Sequence, residues 1–378
     1  MAQWNRVPLI DYIELIGGGT PKTTVPEYWN GNIPWLSVKD FNNDKRYVYS
    51  TEKHISQSGF ENSPTKMLHK DDIIISARGT VGEIAMIPFD MAFNQSCYGI
   101  RASRGIDQPF LYYLLKNCIS QLKRMTHGSV FDTITRDTFA NIEVDIPDAE
   151  TQKRISSVLA DIDNKIEVND AINDNLHQQA ATLFKALFVD LTPFDGTMPP
   201  NWTISTLGDA TEMGAGGDKP KESSPVKTPL CPYPIYSNGI NDYGLYGYTN
   251  DPKIKVESVT VSARGTIGYV CLRHTPYVPI VRLVTLIPDT KVLSAKYLYL
   301  YLRQLHITGT GTTQQQLTVP DFRKTEIIIP DKNTMDSFTE TVTPLFEQIW
   351  ANEDENTKLA EVRDALLPKL MSGEIDVS

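Results

Sequence analysis

The sequence has little of what catalytic or metal chemistry needs. Its four cysteines, Cys97, Cys118, Cys231 and Cys271, form no Cys-x-x-Cys pair, so reduced thiols in a cytoplasmic protein are the plain reading. The six histidines, His54, His69, His127, His177, His274 and His306, form no His-x-His or His-x-x-x-His cluster, which argues against a metal site. "GGGTPKTT" (17–24) lacks the GxxxxGK[ST] spacing of a phosphate loop, and Pro21 and Pro26 disfavour the helix that must follow one. No [DN]PP[FY] tetrapeptide is present, which removes the usual amino-methyltransferase site. Asp71–Asp72 reads as a strand-entry turn rather than an acid–base pair. A signal peptide and an apolar run able to span a bilayer are also missing. A soluble, non-catalytic chain is expected.

Basic charge is scarce too, with a net charge of −10, which would count against a nucleic-acid partner. The acid, however, is concentrated. Residues 148–191 carry 4 basic and 8 acidic side chains, and residues 331–378 carry 4 and 11. The two larger segments are nearly balanced, with 15 against 16 over residues 1–147 and 13 against 11 over residues 192–330. A local basic face therefore remains open to each of them.

What is present is repetition. "SARGTVG" (76–82) returns as "SARGTIG" (262–268), "GGGTPK" ending at Lys22 returns as "GGDKPK" ending at Lys221, and "WNRVPL" (4–9) matches "WTISTL" (202–207). "TITRDTFANIEVDIP" (133–147) aligns with "QLTVPDFRKTEIIIP" (316–330) at an offset of 183, which pairs Phe139 with Phe322, Glu143 with Glu326 and Pro147 with Pro330. Self-similarity on this scale means two copies of a whole domain rather than a short solenoid repeat. Each copy reads mostly as strands, with "DDIIISARGTVGEIAMI" and "ESVTVSARGTIGYVCLR" as strand, glycine-rich turn, strand. Short helices are expected at 108–125 and 294–305.

The same offset links two helical segments. Ile155, Leu159, Ile162, Ile166, Leu176, Ala180, Leu183 and Leu187 correspond to Phe338, Val342, Leu345, Ile349, Leu359, Arg363, Leu366 and Leu370. This is a heptad seam, the pattern of long paired helices. Asp148 and Asp331, each closing an "IPD" tripeptide, are placed to cap the helices, and Pro344 is expected to kink the second. Asn169, Asn173, Asn352 and Asn356 interrupt the seam. Antiparallel packing would set Asn169 near Asn356 and Asn173 near Asn352, fixing register at some cost in stability; a frayed or water-exposed midsection would give the same sequence.

The pattern resembles the specificity (S) subunits of type I restriction–modification systems. The resemblance is carried by "GGGTPKTTVPEYWNGNIPWLSVKDF" (17–41), "DIIISARGTVGEIAM" (72–86), "NQSCYGIRA" (94–102) and the "IPD"-headed helices, in an order that covers nearly the whole chain. It implies an α+β fold: two mixed α/β target recognition domains alternating with two long helices that pair as an antiparallel coiled coil, an internal pseudo-two-fold repeat. Target recognition domain 1 would span 1–147 and target recognition domain 2 would span 192–330. The helices at 148–191 and 331–378 would be the spacers that set the half-site gap and bind partners. The implied partners are double-stranded DNA, two modification (methyltransferase) subunits and, as an optional member, a restriction (motor nuclease) subunit. No cofactor is implied for this chain. S-adenosylmethionine would belong to the modification subunits, and ATP and Mg to a restriction subunit. The second domain departs from the pattern: "PYVPIVRLV" (276–284) stands where an "NQS" is expected, and "YPIYSNGINDYG" (233–244) replaces "IPWLSVKDF", so the two domains should read different half-sites.

Arg78 and Arg264, in the duplicated turn with Gly79, Thr80, Gly265 and Thr266, have the chemistry to contact phosphate or a guanine edge. An inward arginine paired with a carboxylate of its own domain would look the same. Polar loop residues that suit DNA contact are Thr20, Lys22, Ser37, Lys39, Asp40, Asn94, Gln95 and Ser129 in the first domain. In the second they are Lys219, Lys221, Ser237, Asn238, Thr312, Thr313, Gln314 and Gln315. Trp35 and Phe41 read as core. Two rival readings stay open: an assembly scaffold without DNA specificity of its own, and an enzyme with its own transferase or nuclease site.

Overall fold

The computed structural model describes residues 4–126, 133–309 and 315–377. The chain divides into two compact units, Met1–Asn169 with Glu353–Ser378, and Asp170–Asn352. Each unit takes one globular segment and part of each of two long helices. The central helix runs Ala149–Phe184 and the C-terminal helix Lys332–Met371. The C-terminal helix is one unbroken element through Pro344.

In the first unit, an antiparallel sheet orders Ile13–Gly17, Cys97–Ala102, Ile73–Ser76 and Ile84–Met86. Of its two interior strands, Ile73–Ser76 is buried on both faces, which is why three consecutive isoleucines replace the usual apolar–polar alternation. Each buried isoleucine contributes about 1.5–3 kcal/mol. A second sheet orders Lys53–Ile55, Trp29–Leu36, Met91–Phe93 and Met67–Leu68, with the middle pair parallel. Asn5–Pro8 pairs with Glu143–Ile146, closing the globular segment beside the start of the central helix.

In the second unit, Thr211–Ala215, Val284–Pro288, Ser258–Val261 and Val270–Arg273 form a sheet of the same order and direction. Thr203–Thr206 and Glu326–Ile329 repeat the closing pair. The remaining sheet is wired differently: Ser223–Ser224, Leu245–Thr249, Tyr233–Tyr236 and Val278–Pro279, again with one parallel pair. The repeat is therefore faithful in one sheet and divergent in the other, the sheet that "IPWLSVKDF" and "YPIYSNGINDYG" enter.

Both helices begin as their sequences require. Asp148 accepts from the backbone NH and hydroxyl of Thr151, and Asp331 does the same for Thr334. Ile155 and Leu159 join the first unit's core with Leu367, Leu370 and Met371, while Ala180, Phe184 and Phe188 join the second's with Phe338, Val342, Phe346 and Ile349. The seam departs from strict heptads at its end. Leu183 is 36% exposed, and Phe184 and Phe188 are buried instead. Four-residue steps from Ala180 shift the buried face, the effect of a heptad stutter. The chain absorbs part of that shift in a π-helical turn at Lys185–Val189.

Candidate nucleic-acid interface

The duplicated turn is built the same way twice. Gly79 and Gly82 have φ of +78° and +85°, and Gly265 and Gly268 have +68° and +83°. A Cβ on Gly79 or Gly265 would meet nothing, so backbone conformation and not space selects glycine there. The serine that opens each heptapeptide pins the turn. Ser76 Oγ accepts from Glu83 N at 2.8 Å and donates to the Thr80 carbonyl. Ser262 Oγ accepts from Tyr269 N at 3.0 Å and donates to the Thr266 carbonyl. Behind the turn, Ile134 N donates to the Ala77 carbonyl and Leu317 N to the Ala263 carbonyl, both at 3.0 Å. The role of these serines was not singled out from the sequence, although their place in the repeated heptapeptide marks them.

The two arginines differ. Arg78 is exposed, and no side chain among the described residues pairs with it. Arg264 is half-buried, and its Nε and Nη2 donate to Gln316 Oε1 at 3.1 and 2.9 Å. Gly79, Thr80, Gly265 and Thr266 are exposed beside them.

In the first unit, loops from both sheets converge on this turn through the backbone. Gly19 N donates to Phe93 O, Asn94 N to Leu36 O, and Ala77 N to Ser96 O, at 2.9, 3.0 and 2.8 Å. A Cβ on Gly18 would lie 2.1 Å from the Asn94 carbonyl, so the glycine run exists to let two loops touch. The Thr20 hydroxyl donates to Gln95 Oε1. Asn94 Oδ1 accepts from Ser96 N at 3.0 Å, leaving its amide NH2 for other partners. Ser37 and Asp40 form a capping box, with Asp40 also accepting from Glu52 N at 2.8 Å. Lys22 and Lys39 are exposed. Trp35 and Phe41 are buried, and Trp35 Nε1 donates to the Gly19 carbonyl.

In the second unit, Asn238 does the joining with its side chain. Its Oδ1 accepts from Ala263 N and its Nδ2 donates to the Val281 carbonyl, both at 2.7 Å. Ser237 N donates to Gly244 O. The Lys219 ammonium lies 5.1 Å over the Tyr246 ring, and Lys221 and Gln315 are exposed. Ser129, Thr312, Thr313 and Gln314 lie outside the described residues.

Away from the loops, the seam asparagines meet in pairs. Asn169 Nδ2 donates to Asn356 Oδ1 at 2.8 Å in the first unit, and Asn352 Nδ2 to Asn173 Oδ1 at 2.8 Å in the second. Their neighbours also correspond at the offset of 183, since Lys165 donates to Asn169 Oδ1 and Gln348 to Asn352 Oδ1.

A family model described as the type I restriction modification DNA specificity domain matches residues 1–178 and 199–361. The chain is 28% identical over 410 residues to the type I restriction enzyme MjaIX specificity subunit of Methanocaldococcus jannaschii, covering 99% of this chain and 94% of that protein. It is 26% identical over 354 residues to the HindI specificity subunit of Haemophilus influenzae, covering 70% and 77%. The crystal structure of a type I restriction–modification S subunit from M. genitalium shares the fold, with a TM-score of 0.57 at 15% identity over 98% of this chain and 96% of that one. With two copies of the family's domain spanning most of its length, this chain belongs to the type I restriction–modification specificity subunits.

Proposed function

We propose that the chain is the non-catalytic DNA-specificity subunit of its complex. Each globular domain, 1–147 and 192–330, reads one half of an asymmetric bipartite site in the major groove. The observation that carries this reading is the duplicated Ser-pinned turn, which presents an arginine, Arg78 or Arg264, among loops lined with hydroxyl, amide and lysine side chains. Those groups suit base edges and phosphates. The different wiring of the second sheet supports two different half-sites. The acidic helices, 148–191 and 331–378, would repel DNA and steer toward basic faces of two modification subunits. They also set the half-site gap. The methyl donor, ATP and Mg stay with the partner subunits, including a restriction subunit where one joins, and the complex works in the cytoplasm.

The test is methylation mapping by the assembled complex. Exchanging residues 1–147 for the matching domain of a relative should change one half-site and leave the other. A four-residue insertion after Gln178 should lengthen the gap with both half-sites kept. A change in both half-sites after the domain exchange, or random methylation by the wild-type complex, would overturn the reading, and the second result would favour a scaffold.

A further inference from the structure

The corner at Val281–Arg282 holds a conformation that its residues disfavour. Val281 has φ +53° and Arg282 has φ +62°. Two consecutive non-glycine residues in the left-handed region are unusual, and a β-branched one is an outlier. Such strain persists only where the surroundings over-determine it, and it gathers at functional sites.

Here the surroundings are explicit. Val281 N donates to Gly217 O at 2.8 Å and Arg282 N to Gly216 O at 2.9 Å. Gly216 N donates to Leu283 O at 2.8 Å, and Asn238 Nδ2 holds the Val281 carbonyl. A Cβ on Gly216 would lie 2.7 Å from Ile280 N, so Gly216, the first glycine of "GGDKPK", is what lets the backbones close on each other.

The clamp sinks Ile280 and Leu283, at 1% and 2% exposure, and lifts the two residues between them out. Val281 is 48% exposed. The Arg282 side chain is exposed, and its guanidinium has no hydrogen-bonding or ionic partner among the described residues. A corner needed only to turn the chain would be served better by glycine or asparagine. Instead the strain displays one apolar side chain and one cation. Asn238 also ties this corner to the Arg264 turn through Ala263 N. The corner occupies the sequence position where the first domain carries Asn94, Gln95 and Ser96.

We propose that Val281 and Arg282 are specificity and anchoring residues of the second domain, an inference that rests on the DNA-reading function above. Val281 meets a base edge in the major groove, where its methyl groups favour a thymine methyl. Arg282 holds the adjacent phosphate.

The experiment uses the full chain assembled with its modification subunits and a randomised duplex library. Val281→Gly relieves the left-handed strain, so its melting temperature should not fall. It should nevertheless lose about 10-fold of its preference for thymine at one position of the second half-site. Arg282→Asn, which tolerates the same φ, should weaken binding to all sequences alike and lower the slope of log affinity against log salt by about one. The first half-site should be unchanged in both variants. Wild-type preferences in Val281→Gly, or a wild-type salt slope in Arg282→Asn, would overturn the inference alone, whether or not stability moves. A wild-type complex without any defined second half-site would overturn the DNA-reading function with it.

Discussion

At position 163 the central helix carries an aspartate; 183 residues later the C-terminal helix carries Phe346. Asp163 pairs with Arg363 in the first unit; the residue 183 before Arg363 is Ala180, which is buried with Phe346 in the second unit's core. The same seam location is thus filled by an ion pair in one unit and by a large-and-small apolar pair in the other. In the first unit, Arg363 Nη1 donates to Asp163 Oδ1 at 2.8 Å and Tyr113 Oη to Asp163 Oδ2 at 2.7 Å, with Asp163 and Arg363 at 3% and 5% exposure. Burial works to lower the Arg363 pKa, but hydrogen bonds from its guanidinium to Asp364 and Asp163 outweigh it and hold the charge on. One turn on, Glu167 grips Arg46 through two bonds of 2.9 Å. Its counterpart in the second unit is Trp350, stacked on His274 at 4.1 Å. A buried ion pair rarely gains stability over an apolar pair, yet losing one partner is severe, because the other charge is stranded.

This asymmetry sets the largest expected effect. Arg363→Ala should destabilise the first unit by about 3–5 kcal/mol. Adding Asp163→Phe, which copies the second unit's pair, should restore at least half of that loss. Urea and thermal melts of the wild type and the two variants decide it. A double variant no more stable than Arg363→Ala would show that the two units' seams are not equivalent surroundings.

The asparagines sharpen the comparison from the other side, since here the units agree. Asn352→Leu leaves Asn173 buried without its 2.8 Å donor and should cost about 1–3 kcal/mol. Replacing both Asn173 and Asn352 by leucine should be neutral or stabilising, because no polar group is then stranded. The expected loss is of register, seen as a mixture of species in native mass spectrometry of the full chain. A double variant as unstable as the single one would remove the register argument.

The two arginines differ as well: among the described residues no side chain pairs with Arg78, whereas Gln316 holds Arg264. Arg78→Ala should leave the melting temperature unchanged and weaken DNA binding by about 1–3 kcal/mol if it reads a guanine edge. Arg264→Ala should lower both, because its guanidinium also holds Gln316. Measuring melting temperature and affinity in parallel separates the two roles. A destabilised Arg78→Ala with normal affinity would make the first arginine structural.

The repeat, the strand–turn–strand around each heptapeptide and the capping aspartates were legible because they depend on local chemistry: glycine at positive φ, a carboxylate ahead of a helix, three apolar residues in a buried strand. The seam was legible at Ile155, Leu159 and Ala180, but Ile162 and Leu345 are only half-buried and their neighbours Asp163 and Phe346 are buried instead. Beyond Ala180 the spacing of Leu183 and Leu187 continued the heptad, while tertiary packing chose Phe184 and Phe188. Of the loop candidates, Asn238 has its amide committed to two backbone groups, and Ser37 and Asp40 cap a helix. Polar type alone does not distinguish a side chain that reads a partner from one that holds a loop. The Val281–Arg282 corner was legible only as a departure from the expected "NQS", since its strain is held by hydrogen bonds to Gly217 and Gly216, 64 and 66 positions earlier.

The smallest expected effect lies at the two helix starts. Thr151 N holds the Asp148 carboxyl below the usual carboxylate range, and the Thr334 hydroxyl does the same for Asp331. Asp331 has a further donor, Trp202 Nε1 at 3.0 Å. In each case the folded pKa is depressed, so the stabilisation is fully present above the unfolded value, about 3.9. It is lost as pH falls below that value and through the folded one. Asp148→Ala and Asp331→Ala should therefore lower the melting temperature at pH 7 and converge on wild type in acid, below about pH 4. Because Asp331 also anchors Trp202, the second variant should fall further at pH 7. Trp202→Phe should remove that difference without touching the first helix start. Equal losses for the two aspartates at pH 7 would show that the indole bond adds nothing, and that the two caps, like the two turns, are true copies.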